Sequence, residues 1–266
     1  MPIDLVVSGA TGRMGRILGR LIEEAADLRS LGGIARSEPA EGAGALGYPE
    51  IVRVDAASEL VRRAEAVIDF SAPEQLAALL DRCGDALEGR ALLVGTTGLD
   101  DDSRAGLDRI ARTAPVLVAA NFSPGVNLLL GLVERASAAL SSSDYDIEVV
   151  ETHHRRKEDA PSGTALALGR AAAAGREQRL EDVRRDGRSG RTGPRQDGEI
   201  GFHALRGGDV AGEHTVHLLG ERERIALGHT ALSRDLFASG ALDAARWLVG
   251  RPPGRYTMKD VLGLTG

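Results

Sequence analysis

Residues 3–15 read IDLVVSGATGRMG, a short apolar run followed by glycines at positions 9, 12 and 15. Ile17, Leu18, Leu21, Ile22 and Ala25 then recur at helical spacing, so the glycines sit where a strand hands over to a helix. Glycine at such a junction lets backbone approach a ligand closely, and the unpaired N–H groups and positive dipole end of the helix favour a phosphate. Two residues between successive glycines is weak evidence alone. At the first strand-to-helix junction it points to a nucleotide site, with a tight structural turn as the alternative.

A second strand is expected near 31–35, leading into a glycine-rich loop at 41–47. Further buried strands fit 66–70 (AVIDF), 91–94 (ALLV) and 115–119 (PVLVA), with helices around 73–82 and 101–112 between them. Short apolar strands separated by helices make βαβ units with right-handed connections and a parallel sheet. The carboxyl ends of such strands line the ligand crevice. Gly95, Thr96 and Thr97 after one strand, and Ala119, Ala120, Asn121 and Phe122 after another, are therefore expected to meet the nicotinamide half of a dinucleotide, with Phe70-Ser71 a weaker candidate. For each loop, ordinary turn chemistry and helix capping is the competing reading. After the second strand the sequence runs Gly33-Ile34-Ala35-Arg36-Ser37, with no acid to bind ribose hydroxyls. Arg36, with Arg13, suits the 2′-phosphate of NADPH, so NADPH is the expected cofactor and NADH a second one. Two exposed arginines without a ligand are the alternative.

The pattern changes after Asn121. A helix is expected over 125–140, a strand over 146–151 and an Ala-rich helix over 163–174. Strands follow at 199–205, 210–219 and 223–231. Three neighbouring strands with short turns predict an antiparallel or mixed sheet with one open face, which invites assembly. From about 234 the chain returns to helix and closes with a short segment, 257–264.

Composition narrows the function classes. With 42% hydrophobic and 27% charged residues, the 266-residue chain can bury a sizeable core in one or two domains. A net charge of −6 argues against general binding to nucleic acid or anionic membrane. No apolar run approaches the roughly 20 residues of a membrane span, and the opening has no basic n-region or cleavage site, so a cytoplasmic protein is expected. The lone Cys83 offers neither a disulfide nor a metal cluster and fits a reducing compartment. Between Arg176 and Arg195, seven Arg face four acids; the stretch reads as a solvated loop or as a mobile arm holding an anion. Only Lys157 and Lys259 are lysines, against 31 arginines. A guanidinium does not give up its proton near neutral pH and an ammonium can, which makes Lys157 a candidate for proton chemistry.

Residues 151–164 read ETHHRRKEDAPSGT, with two His, two Arg and a Lys in five successive positions at the end of a predicted strand. Pro161-Ser162-Gly163-Thr164 then opens a helix whose N–H groups and hydroxyls suit a carboxylate. Together they describe a site for a small acidic substrate with proton donors in reach. A metal site is the rival reading, but adjacent His residues on a strand point to opposite faces and no HExxH or Cys pattern accompanies them. A solvated basic strand end is the other.

The blocks GATGRMGR, VIDFSAPE, VGTTG, AANFSPGVN, ETHHRRKEDAPSGTA, GFHALRGGDVAGEHTV and SRDLFASGALDAARWL span almost the whole chain and resemble the 4-hydroxy-tetrahydrodipicolinate (dihydrodipicolinate) reductase family. The resemblance implies an α/β chain: a Rossmann-like parallel-sheet domain, 1–122 plus 235–266, and a smaller α+β domain, 123–234, with a mixed open sheet that binds substrate and builds a homotetramer. The last helix would pack back on the first domain. It implies NAD(P)H-dependent reduction of 4-hydroxy-2,3,4,5-tetrahydrodipicolinate to tetrahydrodipicolinate in lysine and diaminopimelate biosynthesis. His153 matches the family's general acid/base and Lys157 its proton donor. His154, Ser162, Gly163 and Thr164 match substrate contacts, and Arg234 resembles another. The cofactor blocks fall on Gly9, Ala10, Thr11, Gly12, Arg13 and Met14, on Gly95 to Thr97 and on Ala119 to Phe122; no metal is implied. Where many members carry an acid after the second strand, this chain has Ala35.

Two other functions remain in view at this stage. A semialdehyde dehydrogenase on the same fold would need a nucleophilic Cys, and Cys83 falls on a predicted helix away from any His. A nucleotide-sensing protein would carry a nucleic-acid module or interaction tail, which the sequence does not display.

Overall fold

The computed structural model describes residues 1–37 and 42–264, so position 41 of the expected glycine-rich loop lies outside the described residues. The chain divides into two units, Met1–Ser123 with Phe237–Gly266, and Pro124–Leu236.

The first unit begins β1 (Ile3–Ser8), α1 (Arg13–Glu24), β2 (Leu28–Ala35), β3 (Ile51–Arg53), α2 (Ser58–Arg63), β4 (Ala66–Asp69), α3 (Pro73–Cys83), β5 (Ala91–Val94), α4 (Asp101–Ile110) and β6 (Pro115–Val118). Its central strands read as unbroken apolar runs because both faces are covered. Leu5, Val7, Ile68, Leu93 and Leu117 point into one core, against α1. Val6, Val67, Leu92, Val94 and Val116 point into the other, against α3 and α4. The connecting helices start on ordinary chemistry: Pro73 occupies the first turn of α3, and the Asp100 carboxylate accepts the Ser103 N–H at 2.8 Å to cap α4.

The second unit runs α5 (Pro124–Ala139), β7 (Tyr145–His153), α6 (Gly163–Gly175), α7 (Leu180–Val183), β8 (Arg184–Asp186), β9 (Ile200–Arg206), β10 (Gly212–Gly220) and β11 (Arg224–Ala231). Its sheet has the order β11-β10-β7-β9-β8. The three late strands are thus not all neighbours, as their closeness in sequence suggested. β7 inserts between β9 and β10, pairing parallel with the first and antiparallel with the second. Ile147 and Val149 of β7, with Val216, Leu218, Ile200 and Phe202, pack under Leu129, Val133, Leu168 and Ala172 of α5 and α6. The opposite face, carrying Glu148, Val150, Thr215, His217 and Leu219, is only partly buried. The mixed sheet with one open face is present.

The chain then re-enters the first unit. In α8 (Asp235–Leu248), Ala238, Ala241, Leu242, Ala244, Ala245 and Leu248 are buried in the core beneath β1. β12 (Gly254–Tyr256) pairs parallel with β6, and α9 (Met258–Val261) follows behind a Thr257/Asp260 capping box. The completed sheet is wholly parallel, β12-β6-β5-β4-β1-β2-β3. Chain order reverses direction at the β1/β4 step, where open α/β sheets bind ligands. Among the described residues no helix is long and apolar enough to cross a membrane.

Candidate active site

The glycine segment of the first unit is held against two strand ends. The N–H groups of Gly9 and Ala10 both donate to the Ile34 carbonyl at the end of β2, at 2.9 and 3.2 Å. Gly9 has φ +83°, and a Cβ there would lie 2.4 Å from the Phe70 carbonyl oxygen beyond β4. A Cβ on Gly15 would come 2.3 Å from the Gly9 carbonyl oxygen. Both glycines are required because backbone lies where any side chain would be. Gly12 caps α1 without a side chain, leaving the first-turn N–H groups to a ligand. Exposed Arg13 opens that turn and exposed Arg36 lies two residues beyond Ile34. The cradle therefore fits a pyrophosphate, with two guanidiniums placed on the elements that form it.

The other strand ends divide into lining and support. Phe70 packs over Gly95, whose Cβ would be 2.3 Å from the ring, and its centroid lies 5.5 Å from that of buried Phe122. Thr97 and Ala120 are exposed, and Ala119 and Asn121 half-buried. Thr96 is turned inward. Its hydroxyl donates to Asp69 Oδ2 at 2.5 Å and accepts the Ser71 N–H at 3.0 Å, while Ser71 Oγ donates to Asp69 Oδ1 at 2.6 Å. Burial pushes the Asp69 carboxyl up, against the pull of these hydroxyls. Thr96 thus braces the loop and its hydroxyl is not spare for a ligand.

In the second unit, β7 brings Glu151 and His153 to the inward face two residues apart, both buried. Glu151 Oε2 lies 2.5 Å from His153 Nδ1, and Arg206 forks onto both Glu151 oxygens at 2.8 and 2.7 Å. The Ser162 N–H donates to Glu151 Oε1 at 3.0 Å. Ser162 caps α6 by accepting the Ala165 N–H at 3.1 Å, and its Oγ lies 2.9 Å from His214 Nε2. The His153 and His214 rings meet edge to face at 5.0 Å. Burial alone would raise the Glu151 carboxyl, but the hydrogen bonds from Arg206, His153 and the Ser162 amide outweigh it and hold it below the carboxylate range. Burial, reinforced by the charge of His153, lowers His214 to about 4.

His154 points the other way, into a cleft of about 360 Å³ lined by His154, Arg156, Asp209, Ala211, Ser233 and Arg234, with Leu232 at its rim. Arg234 Nη2 donates to His154 Nε2 at 2.9 Å; an arginine only donates, so the His154 proton sits on Nδ1, a buried atom without a partner. Burial, then Arg234 and Arg156, lower His154 by disfavouring its charged form. The dense run of cations is partly neutralised from within: Lys157 Nζ pairs with Asp159 at 2.9 Å, and Arg156 pairs with Asp209. Gly163 has nothing within 4 Å of its missing Cβ, so the start of α6 is open; Thr164 follows, half-buried.

Much of the Arg-rich stretch is exposed, residues 187–194 lying outside helix and strand, but it is tied down at several points. Arg188 and Arg195 converge on Glu148 of β7, at 3.0 and 3.1 Å, Arg195 also reaches Asp146, and residues 184–186 form β8. Cys83 is buried in α3, and burial pushes its thiol up, the reverse of an activated nucleophile. Among the described residues, no group of three His, Cys, Asp or Glu side chains is placed to hold a metal.

Residues 3–122 match the family described as dihydrodipicolinate reductase, N-terminus, and residues 125–262 match dihydrodipicolinate reductase, C-terminus. The chain belongs to the dihydrodipicolinate reductase family. It is 46% identical over 262 residues to the 4-hydroxy-tetrahydrodipicolinate reductase of Caulobacter vibrioides, covering 98% of each chain. It is 48% identical over 270 residues to that of Parvibaculum lavamentivorans, again covering 98% of each. The fold is similar to that of a dipicolinate-bound dihydrodipicolinate reductase from Paenisporosarcina sp. TG-14, with a TM-score of 0.72 at 20% identity over 97% of this chain and 98% of that one. As a reductase of this family the chain is an oxidoreductase that works with a nicotinamide cofactor.

Sequence reading singled out His153 and Ser162 but missed three residues that join them: Glu151, Arg206 and His214. The available signal was an acid and a His at alternating, inward positions of a strand that is otherwise apolar on that face.

Proposed function

We propose that the chain reduces 4-hydroxy-2,3,4,5-tetrahydrodipicolinate to tetrahydrodipicolinate in lysine and diaminopimelate biosynthesis, with NADPH preferred and NADH accepted. The observation that carries the chemistry is the junction of β7 and α6, where His153 and Ser162 share one buried carboxylate while His154 and Arg234 meet in one cationic cleft. Gly9 to Met14 would hold the cofactor's pyrophosphate, and Gly95 to Thr97 with Ala119 to Phe122 its nicotinamide, which supplies a hydride when bound. Loss of water and hydride addition leave charge on a conjugated system, so the protein must deliver a proton and screen two carboxylates. His153 and Lys157 serve the first need. His154 Nδ1–H, Ser162, Gly163, Thr164 and Arg234 serve the second, the open first turn of α6 supplying N–H groups. Arg13 and Arg36, with no acid at Ala35, support the NADPH preference.

A homotetramer built through the open face of the second unit's sheet is part of this proposal, because that face leaves Val150 and Leu219 only partly covered. So is a cytoplasmic location, which suits the single reduced Cys83.

The direct test follows NADPH consumption with substrate formed in situ from pyruvate and aspartate semialdehyde, repeated with pyridine-2,6-dicarboxylate as a planar competitor. Substrate-dependent oxidation that the competitor suppresses is expected. Cofactor binding with no response to substrate would instead favour a nucleotide sensor.

A further inference from the structure

Glu151 takes part in four hydrogen bonds, yet the proposed chemistry gives it neither a substrate contact nor a proton to transfer. Its side chain is 1% exposed. Its two oxygens accept from both Arg206 amino groups and the Ser162 N–H, and Oε2 also meets His153 Nδ1. Those three donors hold the carboxyl ionised, and an ionised carboxylate can only accept. His153 Nδ1 must then be the protonated nitrogen, so in the neutral ring the lone pair lies on Nε2. That atom has no hydrogen-bond partner among the described residues and faces Gly212, where a Cβ would lie 3.0 Å away.

We infer that Glu151 is a positioning residue that locks His153 in the Nδ1–H form, making Nε2 the atom that exchanges protons with substrate. The same carboxylate fixes the Ser162 turn through its amide. Through Arg206, whose Nη2 also donates to the Asp159 carbonyl at 2.7 Å, it anchors the loop on which Lys157 pairs with Asp159. One buried charge thus sets three segments that contact substrate in the proposed reaction, and proton transfer at Nε2 leaves the Nδ1–H bond to Glu151 intact. The inference rests on the reading of His153 as the acid/base residue. The charged or titratable groups that face His153 are Glu151 on β7, the adjacent His154 and His214 on β10, with Arg206 on β9 behind Glu151, and Lys157 and His229 reach the same cluster through His214. Only Glu151 among them bonds the ring.

The chain has six histidines, few enough for ring-nitrogen spectra of the ¹⁵N-histidine-labelled full chain to be assigned by substitution. Neutral wild-type His153 is expected to show a protonated Nδ1 and a bare Nε2; a protonated Nε2 overturns the inference before any variant is made. In Glu151→Gln the preference should relax to a mixture of the two forms. Its kcat should fall roughly tenfold or more, with an altered pH profile and unchanged NADPH affinity, the pattern of an orienting group behind a catalytic imidazole. Should the unpaired Arg206 prevent folding, Glu151→Gln/Arg206→Gln removes both charges and is expected to lose the same tautomer preference. Either variant folding with an Nδ1–H ring and wild-type turnover refutes the role. Wild-type turnover in His153→Gln, alongside an Nδ1–H ring in the wild-type spectra, would refute the acid/base reading and leave the positioning contact standing.

Discussion

Lowering the pH should destabilise the second unit through His214 before Glu151 is protonated. The ring is 5% exposed, and its pKa falls from 6.5 to about 4 because burial, and then His153, disfavour its charged form. The unfolded chain binds this proton near pH 6.5, while the folded one resists until about pH 4. Between those values the unfolded state carries more protons, so stability falls as pH falls. The whole displacement is worth about 3 kcal/mol below pH 4. From pH 7.5 to 5.0 it amounts to about 2 kcal/mol by linkage. Glu151 acts in the same direction in a lower window: its depressed carboxyl adds stability that is present above 4.5 and lost as pH drops through the folded value. The interval above pH 5 therefore isolates the histidine.

The perturbation is His214→Gln, which keeps a polar partner for Ser162 but does not titrate. Urea unfolding at fixed protein concentration, with hydrogen exchange in β7 and β10 to report on the second unit, measures the difference between wild type and variant at each pH. The variant is expected to be less stable at pH 7.5, from the lost ring packing and the Ser162 contact. That deficit should shrink by about 2 kcal/mol on reaching pH 5. His154 and His229 also titrate low, but they are present in both proteins and largely cancel in the difference. A wild-type-minus-variant gap that stays constant from pH 7.5 to 5.0 would refute the argument.

The remaining predictions concern the proposed reaction. His153→Gln and Lys157→Ala should each lower kcat by roughly 10²–10⁴, the usual contribution of a placed acid or base; steady-state assays giving near-normal turnover in both would remove these roles. Arg36→Ala should weaken NADPH by about 1–3 kcal/mol, the worth of a charge-assisted hydrogen bond, and leave NADH nearly unchanged. Equal losses in a fluorescence titration of both cofactors would show that Arg36 does not read the phosphate. Gly15→Val places a side chain where the Gly9 carbonyl stands 2.3 Å from a Cβ, so dinucleotide binding should disappear by calorimetry while hydrogen exchange in β7 and β10 is unaffected.

The first unit was legible where its physics is local. β1, β4, β5 and β6 are buried on both faces, so each announces itself as an apolar run, and the glycines after β1 mark where backbone must come close. β3, β8 and β12 left no such mark. Each has three residues and sits at a sheet edge, where one side lacks a partner to demand apolar character. The ion pairs of the Arg-rich stretch were hidden for a related reason. Charge density suggested solvent or a ligand, but Arg188 and Arg195 answer Glu148, 40 and 47 residues earlier, and only strand pairing brings them together.

The same distinction runs through the candidate site. His153, His154, Lys157 and Ser162 lie within ten positions and could be read as one segment. Arg206 reaches Glu151 across 55 residues because β9 pairs with β7 in a register that sets His153 opposite Arg206. His214 faces Glu151 because β10 pairs with the other side of β7. The inward row of β7 runs Ile147, Val149, Glu151, His153, apolar in its first half and ionisable in its second. Burying that second half is costly unless neighbouring strands supply its partners. The position of one inward-facing acid therefore constrains the register of β9, because a single-residue slip of that strand would turn Arg206 to the opposite face and leave Glu151 without its guanidinium.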